Sequence, residues 1–241
     1  MMAMAVSPAL RAERSRMYEE LLVEHTIMRR GAALVVAGFT RLADGESVDV
    51  RTLIGTTRWL VDFVGGQHTS EVRLFWPVLR DLFPAAVAEL DRGAAEHEAL
   101  DAELHALRRS VDALAARQLG GGPAVTLEVV SEAAMSGLPS AQRVQSLLAK
   151  HFDTEEPVLL GLIPRVPDRD VARLRGAIRE AAPRTAPHLV FGLMEDPERL
   201  PGHTALMNNF PASVRWLRPV LLARYRSVKR ALGVSTLEGA R

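Results

Sequence analysis

An all-α fold, an up-down bundle of four long helices carrying a C-terminal helical appendage, is what this sequence predicts, on three observations. Apolar residues make up 48% of the 241-residue chain while aromatics make up only 5%, and strand-like runs of Val, Ile, Thr and Tyr are nearly absent, which disfavours a sheet. Apolar residues recur at three- and four-residue intervals through four long segments bounded by glycine or proline. Each segment carries a histidine directed at the bundle interior, where facing helices build their sites.

Ser7-Pro8 sets a capping residue before proline at the first helical position and opens a helix running to about Leu42, which Asp44-Gly45 ends. Leu10, Met17, Leu21, Ile27, Leu34 and Val35 form its buried stripe, and the same helix carries His25. A second helix begins between Ser47 and Asp49 and reaches about Phe83. Gly65-Gly66 fall inside it just before Gln67 and His68, and two glycines cost about 1 kcal/mol each against alanine, so the pair predicts a kink or a close backbone approach. Pro84 opens a third helix that continues to about Leu119, where Gly120-Gly121-Gly122-Pro123 breaks the chain. Residues 125–137 predict a short helix stopped by Gly137-Leu138-Pro139, and a fourth long helix follows from Ser140 to about Ile163. Beyond Pro164, closely spaced prolines from Pro167 to Pro219 divide the chain into short helices at 168–182, 188–194 and 211–232. We therefore expect a bundle over residues 1–165 and a helical extension packed on it over 166–241, because Leu189, Val190, Phe191, Trp216 and Leu221 are too apolar for a disordered tail.

Composition removes several function classes. A formal charge of +1 gives no field for nucleic acid or membrane across the whole chain. Without cysteine there is no disulfide, thiolate zinc site, iron–sulfur cluster or thiol nucleophile. No apolar run is long enough for a signal peptide or a membrane span, so the expectation is a cytoplasmic protein. The last helix is locally basic, with Arg215, Arg218, Arg224, Arg226, Lys229 and Arg230 around Trp216 and Tyr225; a solvated face is the first reading and docking on a membrane surface or partner the second.

The chemistry lies in spacing. His151 and Glu155 are four apart, His97 and Asp101 four apart, and His68 and Glu71 three apart, so each pair leaves one helical face. With His25 they offer imidazole and carboxylate donors that suit iron, manganese or zinc better than calcium or magnesium. Four histidines and two or three carboxylates exceed the needs of one tetrahedral zinc, which points to two metals bridged by carboxylates. His105, eight residues after His97, drifts about 80° around the helix and belongs to the surface. His188 and His203 fall in the extension as structural or exposed residues, with a lid as the second reading for His203 beside Gly202, and Tyr18, seven before His25 on the same face, is core or a neighbour of the site, core being the first reading. Arg29 pairs either with a bundle carboxylate or at the surface.

His25 followed by Met28-Arg29-Arg30, QHTSEVRLFWPVL in the second helix, EHEALD from Glu96 to Asp101, and HFDTEEPVLLGLIP in the fourth helix together resemble the hemerythrin-like HHE cation-binding domains over residues 15–165. The resemblance implies two non-heme irons, oxo- or carboxylate-bridged, in the centre of a four-helix bundle, with O2 or peroxide as the ligand. By position it implies His25, His97 and His151 as terminal ligands and Glu71 and Glu155 as bridges. It also marks a departure, since the family's ligand histidine precedes its glutamate by four and that position here is Gln67. Either His68 takes the place, or one metal position is open and the protein is a di-iron oxidase, oxygenase or peroxide-consuming enzyme with a small-molecule substrate. Asp101 stands where hemerythrins have a second histidine in the third helix.

Overall fold

The computed structural model describes residues 8–91, 94–119, 127–181 and 185–234, which form helices and turns and no strand. Helix α1 spans Pro8–Ala43. Helix α2, Val50–Ser70, runs on into a π turn, Glu71–Phe75, and then α3, Trp76–Leu82. After Phe83 come α4, Pro84–Asp91, and α5, Ala94–Leu119; α6, Leu127–Leu162, closes in a 3-10 turn at Ile163–Arg165. The C-terminal part holds α7 (Asp168–Ala181), α8 (Pro187–Glu195), α9 (His203–Met207), α10 (Ala212–Trp216) and α11 (Arg218–Ala231).

Helices α1, α2, α5 and α6 pack in a closed ring, α1 on α2, α2 on α5, α5 on α6 and α6 back on α1, the last contact being the most extensive. Local chemistry sets their ends. Asp49 caps α2 by accepting from the Thr52 N–H at 2.7 Å, and the hydrogen bonding to Thr52 holds its carboxyl below the ordinary value.

Three expectations about the helices need correction. Helix α2 is continuous through Gly65-Gly66, and the pair admits no close neighbour, since nothing lies within 4 Å of a Cβ built on either. The irregularity falls six residues later, where the Trp76 N–H donates to Glu71 O across a π turn just before Pro77, which has no N–H to donate. Gly137-Leu138-Pro139 does not stop a helix either, because α6 is continuous through Pro139 and Pro157. Each proline frees the carbonyl four residues earlier, on Met135 and Asp153, and both residues are exposed so that water replaces the lost bond. Residues 125–126 of the expected short helix lie outside the described residues. The expected third long helix is described as α4 and α5, and residues 92–93 between them lie outside the described residues; the expected 211–232 helix is divided into α10 and α11, and α9 had no sequence signal.

Two apolar clusters flank a polar layer. One joins Val23, Ile27, Leu34, Phe39, Leu60, Leu107, Val144 and Phe152 with Leu189, Phe191, Leu206 and Tyr225 of the C-terminal part. The other joins Met17, Leu21, Phe75, Trp76 and Leu79 with Leu159, Ile163, Val171, Leu174 and Ile178. Burying each such side chain is worth about 1.5–3 kcal/mol, so the C-terminal helices contribute substantially to the same cores. They cover the outward side of α1: α7, α8 and α9 all pack on it, and nearly every side chain from Glu20 to Val35 is buried. A helix buried all round is a central helix rather than one wall of a simple bundle. Arg30 donates to the carbonyls of Leu193 and Glu198, Arg14 to that of Val166, and Arg175 pairs with the fully buried Glu20, so three arginines fasten this cover.

Candidate metal centre

The polar layer lies where Glu20 to His25 of α1, Gln67 to Glu71 of α2 and the π turn, His97 to Asp101 of α5, and His151 to Glu156 of α6 meet. His25, Glu71 and Glu155 are all buried and offer ligand atoms within 4.8 Å of one another. The His25 ring stacks on Phe152 at 4.0 Å between centroids and 10° between planes. Its Nδ1 lies 3.1 Å from Glu156 Oε1, while Nε2 is buried without a partner. Gln67 Nε2 donates to Glu71 Oε1 at 3.1 Å, which leaves Gln67 Oε1 buried and unpartnered.

Three imidazoles gather on the other side. The rings of His68 and His97 lie 4.4 Å apart, those of His97 and His151 4.8 Å, and those of His68 and His151 6.4 Å. His68 repeats the arrangement of His25, with Nδ1 3.1 Å from Asp101 Oδ1 and Nε2 buried without a partner. His151 Nε2 stands 2.9 Å from Glu155 Oε2, so Glu155 belongs to both sides.

Burial sets the electrostatics. It raises the Glu71 carboxyl well above the ordinary value, and the Glu155 charge adds to the rise. In Glu155 burial also opposes ionisation, but His151 and His25 outweigh it and hold that carboxyl low. Burial, then the neighbouring His68 and His151, pushes His97 down to about 4, so this imidazole is neutral at physiological pH. Burial opposes ionisation of Glu156 too, yet hydrogen bonds from His25 and Arg29 keep it ionised, so it accepts from the His25 Nδ1–H. Neutral imidazoles whose Nδ1–H is held by a carboxylate and whose Nε2 is bare are the form in which histidine ligates a metal. Bare ring nitrogens and carboxylates in a water-poor core are otherwise costly, so the residues present fit a metal centre.

All seven residues singled out from the sequence meet in this layer, with different exposure. His25, His68, Glu71 and Glu155 are buried, His97 and His151 half-buried, and the Asp101 carboxylate is half exposed at 51%. Gln67 and His68 are both buried but part company, the amide going to the carboxylate side and the imidazole to the histidine side. Arg29 pairs with Glu156 at 2.6 Å and Asp153 at 3.0 Å, which makes it a bundle partner. His105 is exposed, and His203 pairs with Glu195 at 3.2 Å within the C-terminal part. The roles of Glu156 and Glu24 were not anticipated. Glu156 is one residue past Glu155, and its signal was Arg29, one turn beyond His25 on the facing helix. Glu24 is buried with neither oxygen hydrogen-bonded; its signal was a glutamate four after Glu20, on the stripe shared with Met17, Leu21 and Ile27.

A family model, the hemerythrin HHE cation-binding domain, matches residues 16–163. No curated protein and no solved structure matches the chain.

Proposed function

The chain belongs to the hemerythrin HHE cation-binding family, and from that premise we propose that it is a non-heme di-iron protein that binds or senses O2 or peroxide in the core of an up-down helical bundle. The observation that carries the reading is the pair of buried, unpartnered Nε2 atoms of His25 and His68, each on a ring whose Nδ1 faces a carboxylate. His25 and Glu71 would hold one metal, His68, His97 and His151 the other, and Glu155, near both, would bridge them. Asp101 and Glu156 orient His68 and His25 through Nδ1. Two irons bound there would supply reversible O2 binding or peroxide reduction. Phe152 fixes the plane of the His25 ring, and the apolar clusters on either side keep bulk water from the carboxylates, which strengthens every charge interaction in the layer. Residues 1–165 are the metal-holding part in this reading and 166–241 its cover. No helix among the described residues is long and apolar enough to cross a membrane.

A second reading, a di-iron oxidase or oxygenase acting on a small molecule, is favoured by one observation. Gln67 is engaged with Glu71 where the family's ligand histidine is expected, which leaves one position short of an imidazole and available to a substrate. Iron-loaded protein examined by metal analysis and visible spectroscopy through cycles of reduction and O2 exposure separates the two. Two irons per chain and an oxo-to-iron absorption that returns on each cycle support O2 binding. Consumption of O2 without a stable adduct supports the oxidase, and protein that retains no iron, manganese or zinc removes both.

A further inference from the structure

The outward face of the last two helices takes no part in the metal layer, and its charge is of one sign. From Leu200 to Leu237 the chain has no Asp or Glu, while Arg215, Arg218, Arg224, Arg226, Lys229 and Arg230 are all cationic. Two of the six are engaged within the fold, Arg218 by Glu195 and Lys229 by Asp196. Arg224, Arg226 and Arg230 are exposed and form no ion pair among the described residues, Arg230 donating to the Ser227 hydroxyl at 3.0 Å.

An apolar tip begins this face. Trp216 is 86% exposed, Leu217 53% and Val220 63%, in the turn where α10 passes into α11. The other two tryptophans, Trp59 and Trp76, are buried. Tyr225 and Lys229 mark the buried stripe of α11. Val220, Ala223, Ser227 and Arg230 follow one another at intervals of three and four on the exposed side, with Arg224 and Arg226 on its two flanks. Hollows border the helix on both sides: Arg226 and Arg230 line one of about 480 Å³, and Arg224 and Ser227 one of about 610 Å³. The acids in those walls are already engaged, Glu195 and Asp196 by their cations and Asp49 in capping α2.

A solvated basic face accounts for the arginines and leaves the apolar tip without a reason. A single-stranded nucleic acid asks for a series of aromatic platforms, and Trp216 is the one exposed aromatic here. A protein interface gathers its apolar residues at the centre and sets charge around them, whereas this tip stands at one end of a line of arginines. Anionic lipid suits both halves, with phosphates for the guanidinium groups and a headgroup boundary for an indole and its aliphatic neighbours. We propose that α10 and α11 form a peripheral docking surface for an anionic phospholipid bilayer: Trp216, Leu217 and Val220 enter the headgroup region, and Arg224, Arg226 and Arg230 bind lipid phosphates. The contact stays at the surface, since no helix among the described residues is long and apolar enough to cross. It holds the molecule by its C-terminal cover, α11 packing on α8 and α8 on α1, and it is independent of the metal reading.

The test mixes full-length protein with vesicles of phosphatidylcholine, alone or with phosphatidylglycerol, and measures bound protein by sedimentation. Trp216, as the exposed one of three tryptophans, reports the contact. A blue shift of emission and protection from acrylamide are expected on the mixed vesicles and neither on phosphatidylcholine alone. R224Q/R226Q/R230Q is expected to lower partition about a hundredfold, at about fivefold per charge, and raised salt to weaken binding of the parent. W216S is expected to lower partition about tenfold and to keep the salt dependence. R143Q, at an exposed arginine of α6, is expected to bind as the parent does. Absence of binding to the mixed vesicles, equal binding to neutral ones, or an R143Q loss as large as that of the triple variant overturns the proposal. So does protection of Trp216 by polyglutamate or single-stranded DNA where vesicles give none, which would assign the face to an acidic protein or a nucleic acid. Should a variant fail to fold by circular dichroism, the emission and sedimentation of the parent on the two kinds of vesicle decide.

Discussion

His25 and His68 come from different helices and present the same chemistry, a ring turned so that a carboxylate holds one nitrogen and the other is left bare. A lone interior histidine without a metal settles both nitrogens on neighbours. Removal of a donor on the shared side is therefore expected to abolish retention of at least one metal in His151→Ala and Glu155→Ala, measured by metal analysis, whereas His188→Ala in α8 leaves metal content unchanged. Protonation gives a second expectation, for the metal-free protein. Burial, with Glu20 nearby, pushes the Glu24 carboxyl up to about 8 from a carboxylate's ordinary 4.5. Between those values the folded state holds a proton that the unfolded chain has released, so stability present below 4.5 is lost as pH rises through 8. His97, pushed down to about 4, acts in the opposite sense, its stability being present above 6.5 and lost as pH falls through 4. Denaturant unfolding across this range should show the alkaline fall diminished in Glu24→Gln and the acid fall unchanged. The His151–Glu155 pair was legible in the sequence because four residues is one helical turn. Glu24 gave a weaker signal, a carboxylate one turn after Glu20 on an apolar stripe, and its burial follows only once α1 is covered on every side.

Helices show the same division between what spacing reveals and what packing decides. The extents of α1, α2 and α7 follow from capping and apolar period, but Gly65-Gly66 inside α2 and Gly137 with Pro139 inside α6 misled, since punctuation acts only where the freed backbone has no alternative partner. Pro139 and Pro157 face water, and Gly65-Gly66 face nothing. Gly137, by contrast, is needed for packing rather than for ending a helix. A Cβ there would stand 2.9 Å from Phe39 Cε1 and 3.3 Å from Ser110 Cβ, and Phe39 is itself wholly buried. Gly137→Ala is expected to cost about 1–3 kcal/mol, read as a lower denaturant midpoint with unchanged slope, despite the better helix propensity of alanine. The π turn had no sequence signal except Pro77, because a wide turn depends on which side chains the neighbouring helices accept, and Phe75 and Trp76 are both taken into the core.

Across the whole molecule the all-helical class and the meeting of four histidine-bearing helices were readable in the sequence, whereas the manner in which the C-terminal helices wrap α1 was not. That wrapping depends on long-range partners such as Arg30 with Leu193 and Glu198, or Arg175 with Glu20 and Asn209, that no local pattern encodes. Arg175→Ala strands Glu20 in the interior, and loss of one partner of a buried ion pair costs about 3–5 kcal/mol; the variant is expected to lower the melting temperature by several degrees. Arg173→Ala, which loses only the exposed 3.5 Å pair with Asp81, is expected to leave it within experimental error. The packing of α7 on α1 and α2 also bears on time rather than on affinity. On the two-metal reading proposed above, a cation held by the buried His25 and Glu71 would leave only when the covering helices open, whereas one beside the half-exposed Asp101 would exchange with solvent directly. On that reading the fold would give two neighbouring positions different clocks.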